Sequence, residues 1–316
     1  MDARTVELYL ARAAAATSVR ELHATVRALH RAHPADPDAE RVERACWDRV
    51  LGLLTRPAAA PLPATLWLVR HGESVANVAR NAAFESGAEE VDIAGRDPDV
   101  PLSSLGVRQA VALGRWFAGR PTEGHPTAVL ASPYERARAT AEHVVRAGAA
   151  ADPAFGPGDV RLDERWREKE LGLFFRVTQR GVERRHPEQW ALRRELGAFY
   201  YRPPNGESGA DVVLRVRAAL DDLARAHAGA RVLVVCHQLT ILCARFAIEG
   251  LGEAELDAAW RRYDIANCSL TEYRADGAGR LALTRLGYTV PVEHGDPGVA
   301  GDEAPVTAEP PAGATP

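Results

Sequence analysis

Three short apolar runs, Thr65–Val69 (TLWLV), Ala128–Ala131 (AVLA) and Val232–Cys236 (VLVVC), alternate with longer amphipathic segments. A run with no polar residue at every second position suits a strand buried on both faces, and strands separated by helices read as parallel. Amphipathic stretches fall at Ser104–Gly119, Tyr134–Ala147, Ala210–Ala228 and Thr240–Glu249. Ser208 and Asp211 have the spacing of a capping box ahead of the third. The expected fold is α/β: a three-layer sandwich with a mostly parallel sheet and helices on both faces.

The two ends of the chain follow other rules. Residues 4–32 and 37–55 read as two amphipathic helices, an N-terminal helical hairpin within 1–60. Pro57, Pro61 and Pro63 around a run of alanines mark a linker. The catalytic domain is then expected over 61–290. Residues 291–316 hold six prolines, five acids and no Lys or Arg, the composition of a disordered acidic tail. That tail accounts for the formal net charge of −4, so the rest of the chain is close to neutral.

A near-neutral body argues against a protein dedicated to nucleic-acid phosphates. No stretch of roughly 18 residues is free of charge, so no membrane span is expected. The four cysteines are scattered and form neither a zinc motif nor a disulfide framework. Asp2 and Glu7 precede any sustained apolar run, unlike a secretory signal. The expected location is the cytoplasm, and self-association is left open by the sequence.

Ligands of open α/β sheets bind beyond the carboxyl ends of the strands. The first apolar run is followed by Arg70-His71-Gly72-Glu73-Ser74, the second by Ser132-Pro133-Tyr134-Glu135-Arg136, and the third ends in Cys236-His237-Gln238. A charged segment containing Glu168 and ending at Gly172 lies between the second and third. Two arginines, two histidines and a carboxylate are therefore expected to converge on one sheet edge. Guanidinium forks match phosphate oxygens bidentately. A neutral imidazole can attack phosphorus and split one displacement into two, while preorganised cations hold the charge of the transferring group. A carboxyl group can protonate the leaving alkoxide. The scheme needs no metal and no cofactor.

Leu68-Val69-Arg70-His71-Gly72-Glu73-Ser74 with Asn77 resembles the signature of the histidine phosphatase (phosphoglycerate mutase-like) superfamily. Pro101-Leu102-Ser103-Ser104-Leu105-Gly106 with Gln109-Ala110, Ser132-Pro133 with Arg136-Ala137 and Thr140-Ala141, Glu168 four residues before Gly172, and Val234-Val235-Cys236-His237 resemble its further motifs. The resemblance covers roughly residues 64–290. It implies that His71 is the nucleophile and Glu168 the general acid, with Arg70, Arg136 and His237 forming the phosphate pocket and Asn77 a further phosphate contact. Residues 199–208 with Cys236-His237-Gln238 look nearest to the fructose-2,6-bisphosphatase-like branch. There Arg193 matches a substrate-binding arginine, and Gln238 is a further expected substrate contact. Gln179 and Gly197 replace a tyrosine and a lysine that hold the sugar's second phosphate in that branch, so that bisphosphate is not the expected substrate.

The expected activity is metal-independent hydrolysis of small phosphorylated metabolites through a phosphohistidine. The alternatives are phosphoglycerate mutase-type transfer, and a phosphate-binding or interaction protein acting through the N-terminal hairpin. The insertion Val78–Val100, with Arg96 and Asp97, is expected to overhang the site or to form a variable surface loop.

Overall fold

The computed structural model describes residues 2–16, 19–33, 36, 38, 39, 41–47, 62–262, 265–277 and 279–289. The predicted linker around Pro57 and Pro61 and the predicted tail at 291–316 lie outside the described residues. The chain divides into two compact units, Met1–Ala60 and Pro61–Pro316.

The first unit carries α1 (Ala3–Ala15), α2 (Val19–Ala32) and a further helical stretch at 41–47. The single helix expected over 4–32 is two helices, because Ala16 takes an extended conformation (ψ 134°). Asp2 caps α1 by accepting from the Thr5 N–H at 2.7 Å. Val6, Tyr9 and Ala13 of α1 meet Leu22 and Leu29 of α2, and Val42 and Cys46 complete this small core.

The second unit is built on one six-stranded sheet of order β3-β2-β4-β1-β5-β6. Its strands are β1 (Thr65–Arg70), β2 (Ala128–Ala131), β3 (Val160–Leu162), β4 (Arg231–Cys236), β5 (Leu270–Ala275) and β6 (Leu281–Tyr288). β3, β2, β4 and β1 run parallel, and β5 and β6 are antiparallel additions at one edge. The three strands legible in the sequence, β1, β2 and β4, are three of the four inner strands. β3 is three residues long at one edge, and no residue of β6, at the other edge, is fully buried, so neither carries a continuous apolar run.

Alternate side chains of the central strands enter two different cores. Leu66 and Leu68 of β1, with Val232, Val234 and Cys236 of β4, pack with α8 (Gly209–Ala226) and α9 (Gln238–Glu249). Trp67 and Val69, with Leu233 and Val235, pack with α4 (Ser104–Ala118) and α5 (Glu135–Ala151). This is the expected three-layer sandwich, and it explains why β1 and β4 lack a polar face.

Three helices begin at strand carboxyl ends: α3 (Val75–Ser86) after β1, α5 after β2 and α9 after β4. Much of the expected Val78–Val100 insertion is therefore helical, since α3 continues to Ser86 before a coil and a short turn at Asp97–Asp99. Ser74 and Asn77 form a capping box on α3, and Ser208 with Asp211 forms the predicted one on α8. The remaining helices are α6 (Gln179–Arg185), α7 (Pro187–Tyr200) and α10 (Glu253–Arg262).

The loop after β1 is pressed against the start of α4. A Cβ on Gly72 would lie 2.5 Å from Gly106 O, and one on Gly106 would lie 2.0 Å from Glu73 O. Neither backbone can give without moving the other. Gly106→Ala is expected to destabilise the fold by about 1–3 kcal/mol through overpacking, measured as a lowered urea midpoint.

Candidate active site

The pairing of β1 with β4 sets the geometry. Arg70 lies opposite Cys236, and Val69, Val235 and Ala131 line up across β1, β4 and β2. The ladder continues past the strand ends: His71 N donates to Cys236 O at 3.0 Å, and Ser132 N donates to Val235 O at 2.9 Å. His71, His237 and Ser132 thus stand side by side, with the two imidazole centroids 5.1 Å apart.

His71 is buried, and its Nδ1 lies 2.7 Å from Gly72 O. A carbonyl can only accept, so Nδ1 carries the proton and Nε2 keeps its lone pair. Burial, and then the charges of Arg136 and Arg70, push the His71 pKa well below the usual histidine range. The ring is therefore neutral, with its lone pair at Nε2. Arg136 Nε donates to that nitrogen at 3.2 Å, which places a guanidinium beside any group Nε2 can attack.

His237 is fully buried and its pKa is likewise well below normal, through burial and the charge of Arg136. Its Nε2 is 2.8 Å from Ser132 Oγ, which already accepts the Tyr134 N–H at 3.2 Å. The hydroxyl can donate to Nε2 or accept from it, and Nδ1 is a buried atom with no hydrogen-bond partner among the described residues.

The cavity has a volume of about 190 Å³. Arg70, His71, Asn77, Arg136, Glu168 and Gln238 line it, so six of the residues expected from the sequence meet there. His237 stands directly behind, against His71 and Tyr134. Arg70 Nη1 is anchored on Ile265 O at 2.7 Å. Asn77 spends its Oδ1 on the Ser74 cap, so only its amide protons remain for a ligand. Arg193 is not among the cavity-lining residues. Its guanidinium lies 5.8 Å from the Trp190 ring, and its charge lowers the Lys169 pKa.

Glu168 is held by its Oε1, which accepts the Lys169 N–H at 2.8 Å. Burial raises its pKa above the usual glutamate value, and this outweighs the opposing backbone hydrogen bond and the charge of Arg136. A carboxyl whose environment favours its protonated form, beside a phosphate pocket, suits a proton donor.

Sequence reasoning passed over two cations that line the same cavity, Arg80 and Lys169. Arg80 comes one helical turn after Asn77 on α3, so 3.6-residue periodicity was a usable signal. Lys169 is buried, and burial with the nearby Arg193 charge lowers its pKa to about 8. Asp97 reaches inward and pairs with Arg136 at 2.9 Å, whereas Arg96 stays in solvent bound to Asp99.

Several motif residues shape the site without entering it. Gly72 N donates to Thr140 Oγ1 at 3.0 Å, and Glu73 N donates to Gln109 Oε1 at 2.8 Å. Ser103 caps α4 and donates its hydroxyl to Glu73 Oε1. Gly172 has φ +53°, and a Cβ there would lie 2.1 Å from Pro204 O. Among the described residues there is no cluster of three or more His, Cys, Asp or Glu suited to a metal ion, and no helix long and apolar enough to cross a membrane.

A sandwich with paired histidines and arginines at its parallel strand ends defines a class of phosphate-handling proteins. The family model "Histidine phosphatase superfamily (branch 1)" matches residues 66–287, and the chain belongs to that family. A bifunctional protein of Mycobacterium tuberculosis is 32% identical over 229 residues, covering 72% of this chain and 55% of its own. A probable phosphoglycerate mutase of Yersinia enterocolitica is 31% identical over 208 residues, 65% of this chain and 82% of its own. The chain thus spans about half the length of the mycobacterial curated relatives it matches. The solved structure of mycobacterial glucosyl-3-phosphoglycerate phosphatase shares 25% identity at a TM-score of 0.55, covering 72% of this chain and 100% of that one. These relatives carry the superfamily and do not single out the fructose-2,6-bisphosphatase-like branch.

The buried histidines also tie stability to pH. Both have folded pKa values below the unfolded value of about 6.5. Below that pH the unfolded chain takes up protons that the folded chain refuses, so stability falls as pH falls. Thermal melts from pH 7 to pH 5 are expected to show the loss. The slope should be shallower in a His71→Asn, His237→Gln double variant; an equal slope would refute the assignment.

Proposed function

We propose that the chain hydrolyses small phosphate monoesters, without a metal, through a phosphohistidine at His71. The observation that carries this reading is the state of His71: neutral, Nδ1 fixed on Gly72 O, and Nε2 beside Arg136. In the first step Nε2 bonds to phosphorus and the ester P–O bond breaks. Glu168 gives its proton to the departing alkoxide. Arg70, Arg136 and His237 hold the phosphoryl oxygens, with Asn77 and Gln238 as further contacts. In the second step the Glu168 carboxylate takes a proton from water, the water oxygen bonds to phosphorus, and the P–N bond breaks to release phosphate. The named phosphatase among the structural relatives supports hydrolysis.

Mutase-type transfer is the second reading, favoured by the two further cations Arg80 and Lys169 in the cavity. Such cations would hold a second anionic group on the substrate or on a bisphosphorylated intermediate. A relative named as a probable phosphoglycerate mutase points the same way.

Purified protein is expected to hydrolyse an aryl phosphate at the same rate with and without EDTA, and to accumulate an acid-labile, base-stable phosphoenzyme on rapid quenching. His71→Ala should remove both while the folded circular dichroism spectrum is kept. Retained turnover in that variant would sink the mechanism. Incubation with 3-phosphoglycerate separates the two readings, since phosphate release marks hydrolysis and a 2-phosphoglycerate product marks transfer.

Lys169→Met is expected to raise KM about tenfold, some 1.4 kcal/mol, for esters bearing a second negative group. Neutral-alcohol esters should be unaffected. Because the ammonium loses its proton near pH 8, the wild-type preference should weaken above that pH. Parallel KM measurements at pH 7 and pH 9 check both points.

A further inference from the structure

We propose that Arg215, on α8, is a positioning residue that fixes the general acid Glu168 by riveting its loop to the fold; this rests on the proton-donor role given to Glu168 above. The segment from Asp163 to Gly172 is mostly irregular, with short turns only at Glu164–Trp166 and Gly172–Phe174. Its backbone carbonyls have no ladder to satisfy them, and buried carbonyls require partners.

One guanidinium supplies three. Arg215 Nη1 donates to Arg165 O at 2.7 Å and to Arg167 O at 2.9 Å, and Nη2 donates to Glu168 O at 3.2 Å. Thr240, on α9, adds a second donor to Arg167 O at 2.8 Å. The acid is therefore gripped through its own carbonyl and that of its predecessor.

Glu207 completes the rivet from the other side. Its two oxygens accept Arg215 Nε at 2.9 Å and Arg215 Nη2 at 3.0 Å, a forked pairing that fixes the plane of the guanidinium. The same carboxylate accepts Arg167 Nη2 at 2.7 Å and the Glu170 N–H at 3.1 Å. The held backbone groups thus bracket Glu168, at residue 167 before it and residue 170 after it. Arg215 and Glu207 have side-chain exposures of only 10% and 13%. Burial favours an uncharged Glu207, yet the hydrogen bond and charge of Arg215 hold its pKa below the usual glutamate value, so the pair stays ionic.

Neither residue lines the cavity. Their influence on the reaction must pass through the loop, and it falls on the proton and not on phosphate binding. A carboxyl shifted by about 1 Å loses on the order of a hundredfold in transfer efficiency. That loss appears only where the leaving group needs a proton. A nitrophenolate departs unaided, whereas an alkoxide does not.

The test is single-turnover alcohol release from a nitrophenyl phosphate and an alkyl phosphate, in the full chain and in Arg215→Gln, Arg215→Lys, Glu207→Gln and Glu168→Gln. Arg215→Gln is expected to slow alkyl release by about a hundredfold, at the low end of general-acid effects, and aryl release by less than about threefold, with KM for both esters within about twofold. Arg215→Lys should recover part of the alkyl rate. A purely structural role predicts equal loss on both esters, and that result, or no loss on either, overturns the proposal. Should Arg215→Gln fail to fold, Glu207→Gln and Thr240→Val make the same comparison. If Glu168→Gln itself shows no dependence on the leaving group, the proton-donor reading fails and the positioning role falls with it. Dependence in Glu168→Gln but not in the Arg215 or Glu207 variants rejects positioning alone.

Discussion

The parallel ladder joining β1 to β4 is the constraint on which the rest of the site depends. It aligns Arg70 with Cys236, so the residues that follow each strand leave the sheet at the same level. A slip of one residue would turn every side chain to the other face. Both faces are closed by helices, so such a slip would also trade Leu66 and Leu68 with Trp67 and Val69 between two differently shaped cores. Packing far from the chemistry thereby fixes the 5.1 Å separation of the two imidazoles.

That burial creates the electrostatics as well. Histidines are pushed towards neutrality by desolvation and by the neighbouring cations, while guanidinium groups keep their charge. The same environment gives Glu168 the opposite bias from an exposed carboxylate. A neutral imidazole at His71, persistent cations and a carboxyl biased towards its protonated form are thus three consequences of one buried, positively charged pocket. Helices α3, α5 and α9 begin at the strand ends around it, and their amino termini add to the field that favours an anion.

The motifs read in the sequence divide into two kinds once folded. Arg70, His71, Arg136, Glu168 and His237 gather at the cavity. Gly106, Gln109, Thr140 and Gly172 instead hold the loops that carry them, by close backbone approach or by single hydrogen bonds. Spacing alone could not separate these classes. Arg193 shows the limit from the other side, since it lies outside the cavity lining despite its matched position in the sequence. The break at Ala16 was equally hidden, because the apolar period runs on through it.

The sequence by itself determined the layered α/β architecture, three of the four inner strands, and most of the residues that the fold gathers at the cavity. These rest on local patterns: continuous apolar runs, capping spacings, and polar residues placed where strands end. Only the tertiary structure decided that Lys169 and Arg80 share the pocket, that Asp97 turns inward while Arg96 does not, and that Arg215 grips the Glu168 loop from 47 residues away. The physical reason is that a charged side chain carries no periodic signature of its burial. Its partners are chosen by which backbone groups the folded loops leave unsatisfied, and that choice exists only once the chain has closed on itself.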